Sequence, residues 1–244
     1  MLKFEKFKHM SRSFSWSPRN IGAKLSFRSR FDNRLNDYIV PSIIGANALV
    51  FSAWQMSDRS LNRWLSNNFT VTPHRIVEFH TSLHTLVTSF FSHRDIFHLL
   101  ANMITLYAFG NSTVVFLGAS RFLTLYVSGG IVSNLSFCLW PYLSQTPNGS
   151  RSLLQGRNFG RYETALGASG AISAVVMWSV CANPWQKFFI IPIPIPIPAI
   201  VLGVGFVLKD IHELNYQFGG RTANIGHLGG AAFGIGYFFL KRFR

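Results

Sequence analysis

The chain has 244 residues, of which 48% are hydrophobic and only 13% charged, and its mean hydropathy is positive. That balance excludes an ordinary soluble domain and a disordered polar chain, and it puts the protein in a lipid bilayer as one helical membrane domain. The net charge of +14 would suit nucleic acid in a soluble protein, but no RNA- or DNA-binding motif accompanies it, so no nucleic-acid partner is expected.

In chain order, residues 1–37 hold nine Lys or Arg against Glu5, Asp32 and Asp37, with many Ser and Phe between them. This basic, acid-poor composition reads as a mitochondrial transit segment or as a basic tail held at the inner face of the membrane. The first apolar run is Tyr38 to Met56, interrupted by Pro41, Asn47 and Gln55. Residues 57–95 are too polar to span. Their Leu61-Asn62-Arg63-Trp64-Leu65 patch, with Phe69, Val71, Ile76, Val77 and Phe79 behind it, suits the membrane–water interface. A half-inserted loop after the first span is therefore predicted.

Further apolar runs follow at Ile96 to Leu117, Phe122 to Leu143, Ala165 to Ala182, Phe188 to Leu208 and Ala223 to Leu240. A bilayer core takes about 20 apolar residues per helix, so these make six spans over residues 38–240, closed by the basic tail 241–244. The loop 144–164 is polar and turns at Pro147-Asn148-Gly149. Ile191 to Pro198 alternates Ile with Pro, which cannot form a normal helix interior, so the fifth span is predicted to begin in an irregular or polyproline-like stretch. Both termini then share a side. That side carries most of the Lys and Arg, so it stays on the cytoplasm-equivalent face and the 57–95 loop faces the other compartment. Cys138 and Cys181 fall inside apolar runs and show neither a disulfide framework nor metal-ligand spacing.

Polar groups inside membrane helices are costly, and each is a functional hypothesis. His98 and Asn102 lie four apart on one helix face. Ser169, in Gly167-Ala168-Ser169-Gly170, starts the fourth span, where helix N-terminal amides favour the negative charge that develops when a hydroxyl attacks a carbonyl. His227 opens the sixth span, followed by Gly230 and Gly234; with Gly226 these recur every four residues as a small-residue stripe that lets two helices pack closely. If the stripe meets the fourth span, His227 reaches Ser169 and can take its proton. His98 and Asn102 become donors to the oxyanion. The predicted last five spans contain no Asp or Glu, so a Ser–His dyad is expected rather than an acid-completed triad.

His98-x-x-x-Asn102, Gly167-x-Ser169-Gly170 and His227-x-x-Gly230-x-x-x-Gly234 together resemble the rhomboid intramembrane proteases, over roughly residues 38–240. Phe91-Ser92-His93, the Leu166 to Ile172 stretch and His227-Leu228-Gly229-Gly230-Ala231 are most similar to the mitochondrial presenilin-associated rhomboid-like (PARL-type) branch. The resemblance implies an all-α, rhomboid-like six-transmembrane-helix bundle in the mitochondrial inner membrane. It also implies a Ser169–His227 dyad, with an oxyanion site at His98, Asn102 and the Ser169 amide beside Gly167. The reaction would need no cofactor and no metal, and its substrates would be single-pass transmembrane proteins. Three features depart from the family pattern. Gly226 stands where many rhomboids carry alanine. Ser173 replaces a tyrosine that packs on the histidine in bacterial members, so His227 needs other contacts to orient it. Mitochondrial members usually carry an extra span ahead of the core, which residues 1–37 lack. The fifth span, weakened by its prolines, is the expected lateral gate. The competing reading is a catalytically silent rhomboid-like protein that binds transmembrane clients. Internal repeats that would mark a transporter, Gly-x-Ser-x-Gly and His-Glu-x-x-His are all absent.

Overall fold

The computed structural model describes residues 29–144, 163–190, 193–216 and 221–242, and helices dominate them. Helix α1 runs from Ser29 to Gln55 and so begins ahead of the apolar run at Tyr38, with Pro41 inside it. Its buried Asn47 donates from Nδ2 to the Ile43 carbonyl at 2.8 Å. Residues 1–28, and with them most of the basic tail, lie outside the described residues, as do most of the 144–164 loop and residues 243–244 of the basic tail.

The segment 57–95 folds into short helices: α2 (Arg59–Asn68), α3 (Pro73–Val77) and α4 (Thr85–Thr88), the last continued by a 3₁₀ turn at Ser89–Phe91. Asp58 caps α2 by accepting from the Leu61 amide. The helix is amphipathic as read: Leu65 is buried, while Trp64 is exposed beside the polar face. Trp54 Nε1 donates to Ser92 Oγ at 2.7 Å and the Arg94 guanidinium stacks on the Trp54 ring, which fastens the end of this segment to α1.

Helix α5 (Ile96–Leu117) carries a π turn at Leu106–Gly110, and α6 spans Ala119–Leu143. Gly118, at φ +76°, makes the sharp joint between them, a conformation that costs a glycine little. The Ala119 amide there is capped by Asn36 Oδ1. Among the described residues, α5 and α6 are the two helices long and apolar enough to cross a membrane; α7 (Ser169–Ala182) is apolar but shorter.

The start of the fifth predicted span differs from the sequence reading. Lys187–Ile190 (β1) and Ile193–Pro198 (β2) form an antiparallel hairpin, with Lys187 opposite Pro198 and Phe188 opposite Ile197. Prolines spaced by two residues fall on one side of a strand, so their missing N–H groups need not face the partner, and a two-stranded ribbon consists of edge strands only. Helix α8 then runs from Ala199 to Tyr216, starting later than Phe188 and continuing past Leu208. The prolines therefore precede the helix and do not weaken its interior. Helix α9 covers Arg221–Arg242.

Helices α6, α7 and α9 form the packed centre. A Cβ on Gly230 would strike the Gly170 carbonyl, and one on Gly234 the Ala174 carbonyl, so α9 meets α7 backbone to backbone. Gly226, one turn earlier, faces Ser133 of α6 instead. The apolar core around this seam includes Phe90, Leu106, Phe122, Leu125, Tyr126, Ala171 and Val175.

Candidate active site

Ser169 is the first residue of α7, and the segment leading to it is held by the 57–95 loop. Val71 and Ala165 exchange both backbone hydrogen bonds at 2.9 Å, and the Gly167 amide donates to the Ser89 carbonyl at 3.0 Å. Asn134 of α6 fixes that loop in turn, donating to the Leu86 carbonyl and to Ser89 Oγ. Gly167 adopts φ +123°, and a side chain there would press on the His98 ring. This position therefore requires glycine twice over, for its backbone and for its neighbour.

Ser169 Oγ lies 2.7 Å from His227 Nε2. The pair is half-buried at the wall of a cavity of about 360 Å³, whose polar lining also includes His98, Asn102, Ser173 and Asp210. Helix α5 brings His98 and Asn102 to it: the Asp95 side chain caps the helix by accepting from the His98 amide, and Asn102 Nδ2 donates to the His98 carbonyl at 2.9 Å. The Asn102 amide carries a second N–H, and the residue lines the cavity. The His98 ring packs edge-on against His93, at 4.9 Å between centroids. At α7, the first-turn amides have no carbonyl one turn back, so the Ser169 end of the helix presents donors. The Ser173 hydroxyl is not one of them, because it donates to the Ser169 carbonyl.

Two residues of the site were not assigned to it from the sequence. His93 is fully buried in the loop ahead of α5 and accepts the Ala168 amide at Nε2. Burial, and then the charge of His98, lower its pKa to about 4. Asp210 is the second. Its Oδ1 lies 3.2 Å from His227 Nδ1. The sequence boundary at Leu208 left this acid outside the span, but α8 continues through it, so the expectation of spans free of Asp and Glu is corrected here. Gly203, Val207 and Asp210 share one helix face by i, i+4, i+7 spacing; Gly203 packs on Val180 and Met177 of α7, while Val207 and Asp210 line the cavity. That periodicity was the available signal. Among the described residues no cluster of His, Cys, Asp or Glu has the arrangement of a metal site.

A rhomboid-domain family model matches residues 80–243, a stretch that holds every one of these cavity residues. The chain belongs to the rhomboid family. It is 34% identical over 215 residues to the human presenilin-associated rhomboid-like protein, mitochondrial, covering 84% of this chain and 49% of that one. It is 32% identical over 201 residues to RHOMBOID-like protein 12, mitochondrial, of Arabidopsis thaliana (80% and 55%), and 30% identical over 199 residues to Rhomboid protein 1, mitochondrial, of Saccharomyces cerevisiae (82% and 52%). This rhomboid thus spans about half the length of the curated relatives it matches.

Proposed function

We propose that this rhomboid is an intramembrane serine protease of the mitochondrial inner membrane, cleaving single-pass transmembrane proteins with Ser169 as nucleophile and His227 as general base. The observation that carries the reading is the 2.7 Å approach of Ser169 Oγ to His227 Nε2 at a cavity wall. The mitochondrial names of its relatives support the location. The bundle is read as six spans, α1, α5, α6, α7, α8 and α9, with α2 to α4 lying half-inserted at the interface, where the exposed Trp64 and Leu61 meet lipid headgroups. In this reading the N-terminus of the short α7 lies below the interface, with Ser169 at the cavity wall rather than against lipid.

In the reaction, Ser169 Oγ attacks the scissile carbonyl carbon while its proton passes to His227 Nε2, and the carbonyl oxygen becomes an oxyanion. The Ser169 amide at the helix N-terminus, the second Asn102 N–H and the His98 ring stabilise that charge. As the C–N bond breaks, His227 returns the proton to the leaving nitrogen. A water, deprotonated by the same Nε2, then releases the acyl group and restores Ser169. A substrate helix must unwind to present an extended peptide, so segments with weak helix formers such as Gly near the cut are favoured.

The test is labelling of the full chain in proteoliposomes by a fluorophosphonate, alongside cleavage of a single-pass test substrate. Wild type should label and cleave, and Ser169→Ala and His227→Ala should do neither. A folded wild type that neither labels nor cleaves would overturn the protease reading in favour of a client-binding rhomboid.

A further inference from the structure

Ser169 and His227 do not account for how the imidazole is held. To accept the serine proton at Nε2, His227 must carry its own proton on Nδ1, and the ring must stay in plane with Oγ. The position from which a tyrosine could pack on the ring is Ser173, which is bonded to the Ser169 carbonyl. The group that does reach Nδ1 is the Asp210 carboxylate, at 3.2 Å from helix α8. We propose that Asp210 is a positioning residue that completes a Ser169–His227–Asp210 relay, holding the Nδ1–H tautomer and stabilising the imidazolium formed during each proton transfer. This inference rests on the serine-protease reading above.

The alternative role for a buried acid is an ordinary ion pair, and the geometry weighs against it. The Asp210 side chain is 10% exposed, whereas Lys209, its cationic neighbour, is 58% exposed and 3.8 Å away. Lys209 makes its closer contact with Glu213, at 2.9 Å. An exposed, long ion pair contributes little, and it does not compensate the burial of a carboxylate. The imidazole Nδ1–H is the near partner. Burial also gives the arrangement its use, because a carboxylate shielded from water acts more strongly on a developing imidazolium than an exposed one. Ser169, Asp210 and His227 come from three different helices, α7, α8 and α9, so neither helix periodicity nor local turn geometry places them together.

The test compares wild type with Asp210→Asn, Asp210→Glu and Glu213→Gln in proteoliposomes, measuring kcat and KM on a transmembrane substrate and the rate of fluorophosphonate labelling at Ser169. Asp210→Asn keeps the shape and loses the charge. It should lower kcat and the labelling rate together, on the order of 10²-fold, with KM within about twofold of wild type. Asp210→Glu should recover part of the lost rate, and Glu213→Gln should match wild type. A folded Asp210→Asn with wild-type kcat, or with only a raised KM, would overturn the relay and leave the Ser169–His227 reading standing. Wild type inert to both probe and substrate would instead overturn the protease reading itself. A readout independent of any variant is ¹⁵N NMR of histidine-labelled wild type: neutral His227 should be the Nδ1–H tautomer, and an Nε2–H tautomer would rule the relay out.

Discussion

Gly230 of α9, three residues after His227, rests directly on the carbonyl of Gly170 in α7, one residue after Ser169. No side chain fits between these two backbones, so the helix contact sets the spacing of Ser169 and His227. Gly236, on the same helix, has open space where a Cβ would go. Gly230→Ala should therefore destabilise the fold by about 1–3 kcal/mol through overpacking, and should cut activity further by moving His227 off Ser169. Gly236→Ala should be tolerated. Thermal unfolding in detergent and cleavage assays on both variants check this; equal behaviour of the two would break the argument.

On the serine-protease reading, loss of a reacting group and loss of an oxyanion donor should separate in magnitude. Ser169→Ala and His227→Ala remove the covalent step and its base, and are expected to leave no measurable turnover. Asn102→Ala removes one donor while leaving Ser169 and His227 paired, and loss of one such donor typically costs about 10²–10³ in rate. Because Asn102 also ties back to the His98 carbonyl, the variant's helical content should be compared with wild type by circular dichroism. Normal cleavage by Asn102→Ala would remove it from the oxyanion site.

His93 gives the fold a pH dependence with a definite sign. Burial holds its pKa at about 4, against 6.5 when unfolded. Between those values the unfolded chain takes up a proton that the folded protein refuses, so stability is complete above about pH 6.5 and is lost progressively as pH falls toward 4. His93→Gln should flatten that part of the profile, because an amide does not titrate. Melting temperatures of both proteins between pH 4 and 7 test the sign: a wild type that becomes more stable as pH falls would refute it.

The sequence draws attention to His98, Asn102, Ser169 and His227 because each interrupts an apolar run, where a polar group is costly unless it has a use, and all four line one cavity. Their meeting at one cavity depends on the Gly230–Gly170 contact, whose four-residue glycine spacing was also readable. Asp210 was missed despite its periodicity with Gly203 and Val207, for a physical reason. A hydropathy boundary ends at the first charge, here Lys209, whereas the helix itself ends only at Tyr216, and it is the packing of α9 that buries the acid. The Ile-Pro stretch was misplaced for a similar reason. Its prolines do forbid helix, but the choice of strand over polyproline was made by pairing with Lys187–Ile190, a neighbour the repeat does not encode. The amphipathic pattern of Arg59–Asn68 was readable, yet the bonds that fix the Ser169 approach, Val71 to Ala165 and Ser89 to Gly167, are long-range and leave no local signature.

With the prolines outside α8, a gate between α5 and α8 needs another basis, and the packing of α8 provides one. Val201, Val204, Phe206 and Leu208 are all exposed, while Gly203 brings the helix close to α7. Thr105 of α5 and Val207 of α8 line the same cavity, so a substrate helix entering from the bilayer would pass between them. Cysteines at these two positions, in a background without Cys181 and joined by a short thiol-reactive linker, should stop cleavage of a transmembrane substrate. Labelling of Ser169 by a small fluorophosphonate should continue, because the probe needs no lateral opening. Cleavage at the unlinked rate would show that α8 does not move aside. Loss of both activities would mean that the linker blocks the cavity itself, and the gate would then have to be sought along another face of the bundle.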